Sequence, residues 1–296
     1  MKFNLLRIFL VSIFAIPFFI ISCDEDEIND LLNSADVREE MAMDNKNLAS
    51  GENDIFFLVS SRGITEDLEG DKKDGECPNV TFQGNAYPAE MIIDFGDGCQ
   101  FREKERKGIV RANFSQTWDG TVGMSVVITM ENYFVDNVKH QGTMTLTYNG
   151  DEGNPSFTMV ATDNKLIYPA DTSGNNPEVS WSSAKTFTWL NGFDGFTGIE
   201  SDNVFNDDIF TISGTTNGVN RNSNDFSVII ADDNPLYYDI SCEYIKSGII
   251  TITETSDTVS VTTIDFSPSE GETTGDCDNL VTITTDNLPS ITTNLE

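Results

Sequence analysis

Five cysteines, one histidine and 49 acidic residues carry the groups of this 296-residue chain that could do chemistry. A hydrolytic triad needs a histidine base beside a nucleophile and an orienting acid, and His140 is the one histidine in the sequence. It follows a predicted hairpin turn on an alternating strand, which favours a structural role. A glycosidase needs two facing carboxylates. In a chain with 49 acidic residues any fold brings some carboxylates close together, so their presence does not distinguish a glycosidase from other proteins. We therefore assign no catalytic residue, and a glycoside or other hydrolase is only a minor alternative.

The chain begins with an apolar run that ends at a cysteine. Lys2 and Arg7 precede the run from Ile8 to Ile21. At about 14 residues it is too short to span a bilayer but typical of a secretion signal. Its end, Ile-Ile-Ser before Cys23, resembles the bacterial lipobox, whose cysteine is acylated. We predict a signal peptide at 1–22 and a lipid anchor on Cys23, because two or three acyl chains hold a protein firmly in a membrane. A free cysteine behind an ordinary secretion signal is the alternative.

Four acids follow this cysteine, namely Asp24, Glu25, Asp26 and Glu27. They resemble the acidic export signal of lipoproteins in Bacteroidota, which directs a lipoprotein to the outer face of the outer membrane. We therefore expect an outer-membrane lipoprotein at the cell surface. An Asp beside the lipidated cysteine also resembles the inner-membrane retention signal of enteric bacteria, so a periplasm-facing lipoprotein stays open, as does a merely solvated acidic leader.

The formal net charge of −32 limits the partners of the chain. Such a protein repels phosphate backbones and anionic lipid head groups, so we expect no nucleic-acid partner and a membrane contact through the lipid anchor alone. The one basic cluster includes Arg102, Lys104 and Arg106, which alternation places on one face. It predicts either a patch for an acidic glycan or ion pairs with neighbouring acids, beginning with Glu103 and Glu105.

Cys77, Cys99, Cys242 and Cys277 are an even number of cysteines in a chain predicted to be exported. Oxidising surroundings favour disulfides, and four cysteines allow three connectivities. Context favours the local pairs Cys77–Cys99 and Cys242–Cys277. Zinc is the rival, but the sequence has no Cys-x-x-Cys and a single histidine.

The pattern of apolar residues changes along the mature chain. Residues 23–75 are predicted to be an acidic tether with one or two short helices, because residues such as Ile55 and Leu58 recur in part at helical spacing. From residue 76 the period becomes two, which predicts an antiparallel β domain over 76–296. The predicted strands are Met91 to Phe95, Gly108 to Thr117, Met124 to Val135, Val138 to Tyr148, Phe157 to Ile167, Val179 to Leu190, Ile209 to Gly214, Phe226 to Ala231, Ser247 to Glu254, Thr258 to Phe266 and Leu280 to Thr285.

So many strands predict an all-β fold, either an antiparallel β-sandwich or an extended two-sheet stack. The clearest hairpin turns at Asp136-Asn137, since both residue types tolerate positive φ. Ile93-Asp94-Phe95 before Cys99 is echoed by Ile264-Asp265-Phe266 before Cys277. This echo suggests a duplicated unit with repeats at 76–170 and 178–296, although chance similarity is an alternative.

A series of short motifs carries a resemblance to known proteins. The motifs are Cys77-Pro78, Ile93-Asp94-Phe95-Gly96 to Cys99, Arg106-Lys107-Gly108-Ile109, Glu131-Asn132-Tyr133, Gly142-Thr143-Met144-Thr145 and Trp181-Ser182-Ser183. Together they resemble an uncharacterised group of Bacteroidota lipoproteins over most of 76–296. The resemblance implies an envelope location and a β architecture, and it transfers no catalytic residue.

Two further groups of residues are candidates for binding. Trp181, Phe187 and Trp189 share a strand face by alternation, which predicts core packing or, alternatively, a surface platform for sugar rings. Acids on predicted loops suit a hard cation such as Ca²⁺, although none fits the spaced loop of known calcium motifs and turn chemistry explains them equally. The candidate metal ligands are Asp94, Asp97, Asp207 and Asp208.

The sequence thus predicts a lipid-anchored envelope protein of all-β fold without a recognisable catalytic apparatus. The best interpretation is a binding or interaction module for a glycan or an envelope partner. A structural envelope component is the alternative.

Overall fold

The computed structural model describes residues 41–45, 47–48, 51–56, 58–59, 77–83, 88–101, 104–150, 155–193, 208–242, 244–256, 259–266, 275–286 and 288–295. Helical residues form α1, described at 41–45 and 47–48, and α2, described at 51–56 and 58–59. The strands are β1 (Asn79–Gln83), β2 (Ala89–Asp94), β3 (Cys99–Phe101), β4 (Lys104–Phe114), β5 (Ser125–Val135), β6 (Val138–Tyr148), β7 (Ser156–Ile167), β8 (Glu178–Asn191), β9 (Ile209–Val219), β10 (Asp225–Ile230), β11 (Leu236–Asp239), β12 (Ile249–Thr255), β13 (Val259–Asp265), β14 (Leu280–Thr285) and β15 (Ile291–Asn294).

These strands form one 15-stranded antiparallel sheet, which confirms the predicted all-β class. The hydrogen-bonded order is β1-β2-β4-β5-β6-β7-β8-β9-β10-β12-β13-β14-β15, with β3 paired to β4 and β11 paired to β9. Strands therefore pair mostly with their neighbours in sequence, as hairpin connections allow in an antiparallel sheet. The path is open, with β1 at one end and β15 at the other.

Each of the predicted strands is present, and its ends differ from the prediction by at most five residues, the largest difference being at the end of β9. The hairpin turn is also confirmed, because Val135 pairs with Val138 and both turn residues have positive φ, 46° at Asp136 and 69° at Asn137. The strands β1, β3, β11 and β15 were missed. They have only three to five residues, too few to show an alternation.

A line of β-bulges crosses β4 to β8, and we call it the crease. Asn132 on β5 and Asp163 on β7 are extra residues with φ of 46° and 51°, and the strand register shifts beside both. Gly108 and Gly142 lie next to them on β4 and β6, where a Cβ would collide with the Asn132 carbonyl oxygen and the Asn164 side chain. Bulges bend strands and increase their twist, so the crease bends several strands together.

The inward side chains of the sheet and the helical residues share one hydrophobic core. In α2, Ile55, Phe56, Leu58 and Val59 are buried, and the Phe56 ring stacks on Phe187 with centroids 4.5 Å apart. The short helices expected within 23–75 are therefore present, described at 41–45, 47–48, 51–56 and 58–59, and these residues pack into the β domain instead of acting as a free tether. Among the described residues no helix is long and apolar enough to cross a membrane.

Two disulfides staple the ends of the sheet. Cys77 bonds Cys99 and Cys242 bonds Cys277, with Cα atoms 6.0 and 5.6 Å apart. The predicted local pairing is confirmed. Crosslinks that close loops of this size contribute roughly 3 kcal/mol in the chain-entropy model.

The two halves proposed as repeats are parts of the same sheet, because β7 and β8 pair across their boundary. The sequence echo has a local counterpart. Ile93 and Ile264 lie near the ends of β2 and β13, a buried Phe follows each strand, and the second cysteine of a disulfide comes next. Duplication itself stays a prediction.

Candidate functional site

The most deeply buried charged group of the described residues joins α2 to β8. Glu52 is 0 % exposed, and its Oε1 accepts hydrogen bonds from Trp181 Nε1 at 2.8 Å and Ser183 Oγ at 2.6 Å. Its Oε2 lies 2.5 Å from Lys185 Nζ, which is 4 % exposed. Alternation on β8 turns all three donors to the same face, and α2 supplies the acceptor.

A serine, a lysine and a carboxylate together can generate a nucleophile. Here Ser183 directs its hydroxyl hydrogen to Glu52, and the lysine neutralises the same carboxylate. All three residues are buried, so a substrate has no approach to the Ser183 oxygen. The cluster therefore fixes α2 against β8.

A second cluster lies beside the crease, where Arg106 is 2 % exposed. Its Nη2 donates to Asp54 Oδ2 of α2 at 2.8 Å, and its Nη1 donates to the Tyr133 hydroxyl at 2.6 Å. Burial raises the pKa of Tyr133 to about 12. Lys104 Nζ also lies 3.4 Å from Asp54. The predicted pairing of this basic segment with its sequence neighbours is thus corrected for Arg106 and Lys104, whose partner comes from α2.

His140 belongs to the same region. Its ring lies 5.7 Å from the Tyr133 ring, and a Cβ on Gly51 of α2 would come within 3.0 Å of it. Burial, with the charge of Arg106 as the next cause, lowers the pKa of His140 to about 4. The residue is therefore a neutral core side chain near pH 7, in line with the structural role predicted for it.

A third pair holds α1. Asp44 accepts from Arg221 Nε at 2.9 Å and Nη2 at 2.7 Å, and from the Tyr168 hydroxyl at 2.6 Å. The Arg221 guanidinium also lies 4.5 Å from the centre of the Tyr168 ring. Three carboxylates of the helical segment thus each contact a cation of the sheet or its turns. Sequence reasoning missed these contacts because the partners lie 50 to 177 positions apart.

The aromatic candidates for a sugar platform lie in the core. Trp181, Phe187 and Trp189 are 5 %, 0 % and 6 % exposed, and Phe56 of α2 packs against Phe187 and Trp189. The prediction of a surface platform is corrected, since their shared face is the inward one. Core packing, the other interpretation, is what the structure has.

The candidate metal ligands do not come together in the described residues. Asp94 Oδ1 accepts from the Gly96 amide at 2.8 Å, as a turn acid does, and Asp97 is exposed. Asp208 is buried, while Asp207 lies outside the described residues. Within the described ranges no group of three or more His, Cys, Asp or Glu residues could hold a metal ion.

The outward side of the sheet carries an uncharged surface that we call the neutral face. Residues that pair across adjacent strands form rows that run across the sheet. The middle row takes one outward side chain from each strand of β5 to β10 and continues through Thr251, Thr263 and Thr284. The first six members of this row are Val127, Thr145, Val160, Ala184, Thr215 and Ile229.

Two flanking rows complete the neutral face. The residues in their registered pairs are uncharged, and one exposed acid, Asp163, lies at the β7 bulge beside Thr162 and Ser182. One row follows the pairs Ser125, Thr147, Thr158, Thr186 and Ser213. The other contains Thr129, Thr143 and Thr162 on β5 to β7. It resumes with Ser182, Asn217, Ser227, Thr253 and Val261. Sequence reasoning assigned the strands but not this surface, because only the register shows which residues are neighbours.

Several large apolar side chains are exposed on this face. Val127, Val160 and Ile229 are 39 %, 41 % and 51 % exposed. The charged border begins at β4, where Arg111 pairs with Glu90 and Glu131. The paired residues of this face are uncharged although the chain has a net charge of −32.

The lipidation residue Cys23 and the acids from Asp24 to Glu27 lie outside the described residues, so they stay predictions. Comparison with known proteins matches no family model, no curated protein and no solved structure.

Proposed function

We propose that this chain is a lipid-anchored envelope protein, displayed at the cell surface, that acts as an interaction module for a glycan or an envelope protein. The anchor is Cys23 and the export signal is Asp24 to Glu27. The lipobox motif and the resemblance to Bacteroidota lipoproteins support the location. The neutral face supports the binding role.

The neutral face is the observation that carries the proposal. Acidic side chains keep a protein soluble and separate from other acidic surfaces. On such a protein, a partner can approach the neutral face without desolvating the carboxylates of the rest of the surface. Its hydroxyls and methyl groups supply hydrogen bonds and apolar contact in the same surface.

The polar groups of the interior support the same conclusion. Glu52, Asp54 and Asp44 are each bonded to cations of the sheet or its turns, and His140 is buried and neutral near pH 7. These residues hold the helical segment in place, so we assign them no chemistry on a ligand. We therefore place binding on the outer surface of the sheet.

The binding role is tested with the variant Cys23→Ala, which cannot be acylated and retains every residue of the folded unit. Purified variant is mixed with envelope fragments of the organism that carries the protein, and the bound fraction is measured after sedimentation. Saturable binding is the expected result. A bound fraction no larger than that of the reduced and unfolded chain would contradict an interaction module.

The anchor is tested separately by mass spectrometry of the mature N-terminus. We expect an acylated cysteine that begins the mature chain at residue 23, and release of Cys23→Ala from membranes. An unmodified N-terminus elsewhere would contradict lipidation. Added protease should also remove the domain from intact cells, and full protection would place it in the periplasm.

A structural envelope component is the second candidate, and the extent of the neutral face favours it. Strand spacing of about 4.8 Å and same-face spacing of about 6.8 Å give its positions an area of roughly 700 Å². One partner of a standard protein interface buries about 800 Å². Copies could therefore stack through this face, which sedimentation of the purified chain would detect.

A further inference from the structure

We infer that the neutral face binds an uncharged polysaccharide. The inference rests on the proposed interaction function and names its partner and its site. The middle row from Val127 to Ile229 is the centre of this site, and it runs across neighbouring strands.

Charge selects the partner class. A polyanion would meet the field of a chain with net charge −32, and a polycation would find stronger sites among the carboxylates outside the face. An uncharged partner gains nothing from those carboxylates and loses nothing at the neutral face. Electrostatics therefore favours a neutral ligand at this surface.

The side-chain chemistry selects a sugar. The middle row mixes apolar and hydroxyl-bearing side chains. Thr145 lies between Val127 and Val160, and Thr215 lies between Ala184 and Ile229. A pyranose ring likewise offers apolar C–H faces and a rim of hydroxyls. A purely apolar partner would leave the threonine hydroxyls without hydrogen bonds, at a cost in free energy. Sugar hydroxyls can both donate to and accept from them.

Most side chains of the face have few rotamers to lose on binding. β-branched side chains prefer few χ1 rotamers, and Thr and Val dominate the three rows. Ordering such side chains costs less entropy than ordering the lysines and glutamates of an ordinary surface. This preorganisation favours binding of a ligand that makes many weak contacts.

The geometry of the row suits a linear polymer. Adjacent strands are rotated by about 20 to 25°, so a row that crosses nine strands turns steadily along its length. A flexible chain of sugars can follow such a path. A second copy of this protein is the other occupant, and the test distinguishes it from a polysaccharide.

The test is affinity electrophoresis of Cys23→Ala in native gels that contain dextran, glucomannan or xyloglucan, with polygalacturonate as the acidic comparison. We expect retardation by at least one neutral polysaccharide and none by polygalacturonate. Val160→Glu and Val127→Glu should weaken that retardation about tenfold or more, because a desolvated carboxylate opposes binding. Val122→Glu is the matched control, since Val122 is 62 % exposed in a turn outside the face.

Three results would overturn the inference. Neutral polysaccharides could leave the mobility unchanged, or they could retard the Val160→Glu and Val122→Glu variants equally. The third result is stronger retardation by polygalacturonate than by any neutral polysaccharide. Sedimentation of the same samples tests for self-association. A dimer that Val160→Glu dissociates and that Val122→Glu leaves intact would show that the face binds a second copy of the chain. Envelope binding without any retardation by neutral polysaccharides would keep the interaction function and reject this partner.

Discussion

Lys185 and Arg106 are both buried, and each faces one carboxylate of α2. Removing a charge from water is costly, and the cost is offset only when a partner and hydrogen bonds are in place. Trp181 and Ser183 complete the shell of Glu52, and Tyr133 adds a second acceptor for Arg106. The position of α2 on the sheet is therefore specified by polar contacts as well as by the packing of Phe56.

Replacing Lys185 by Met should lower the free energy of unfolding by about 3 to 5 kcal/mol, because Glu52 would be left as an unpaired buried charge. Adding Glu52→Gln to that variant should restore part of the loss. Urea denaturation of the single and double variants measures both effects. Lys165→Met is the control, since Lys165 and Glu178 form an exposed pair worth at most about 1 kcal/mol. Equal losses at the two lysines would contradict the account.

His140 predicts a dependence of stability on pH. Its pKa is lowered from 6.5 to about 4 in the folded protein, so between these values the unfolded chain binds the proton more strongly. Stability must then fall as the pH decreases through this window, and the loss between pH 7 and pH 5 is on the order of 2 kcal/mol.

The test compares urea denaturation of the wild type with that of His140→Phe at both pH values. The difference in unfolding free energy between pH 7 and pH 5 should be smaller in the variant by about 2 kcal/mol. Arg106, Asp54, Lys104 and Tyr133 face the imidazole and remain in both proteins. The same pH dependence in both proteins would show that His140 is not buried as a neutral side chain.

At the scale of elements, the crease depends on glycines opposite the bulged residues. Gly108→Ala should destabilise the protein by about 3 kcal/mol or more, since a Cβ would meet the Asn132 backbone in addition to the strain of positive φ. Gly174 has a similar φ of +82° with open space around it. Gly174→Ala should therefore cost only about 1 to 2 kcal/mol. Thermal denaturation of the two variants compares them directly, and similar losses would contradict the crowding at the crease.

At the same scale, the described residues of α1 and α2 pack into the core of the β domain, so we expect the domain to require them. A fragment 76–296 would lack Phe56, Glu52 and Asp54, so it would expose the Phe187 region and leave Lys185 and Arg106 without their carboxylate partners. We expect this fragment to bind ANS and to show weak near-UV circular dichroism, as loosely packed states do. A fragment from residue 38 onward should behave as the full chain does. Cooperative unfolding of the fragment 76–296 with native stability would contradict the role of α1 and α2.

Alternation predicted the long strands well, because one face of each is buried and the other faces water. It also placed Trp181, Phe187 and Trp189 on one face, and the structure agrees. It could not show which face is inward, so a surface platform remained open. The bulges at Asn132 and Asp163 reverse the alternation within β5 and β7, and a single sequence gives no sign of them. The partners of α2 are long-range contacts, which local patterns do not contain.

At the scale of the whole molecule, charge and neutral surface are separated. The chain carries 49 acidic residues, yet the registered pairs of the three rows contain none, and Asp163 at the crease is an exposed acid beside them. Two disulfides and the continuous hydrogen-bonded path hold this surface together. The sheet is therefore crosslinked by two disulfides and presents a largely uncharged outer surface, and the lipid anchor at Cys23 stays a proposal.

A charge scan across the sheet tests this central claim most directly. Glu is placed singly at Val127, Val160, Ile229 and, as the control, Val122, each in the Cys23→Ala chain, and the dissociation constant for envelope fragments is measured by sedimentation. The account predicts binding weakened about tenfold or more by each of the three face variants and unchanged in the control, because only the face is desolvated on binding. Dissociation constants that are the same in all four variants would contradict it.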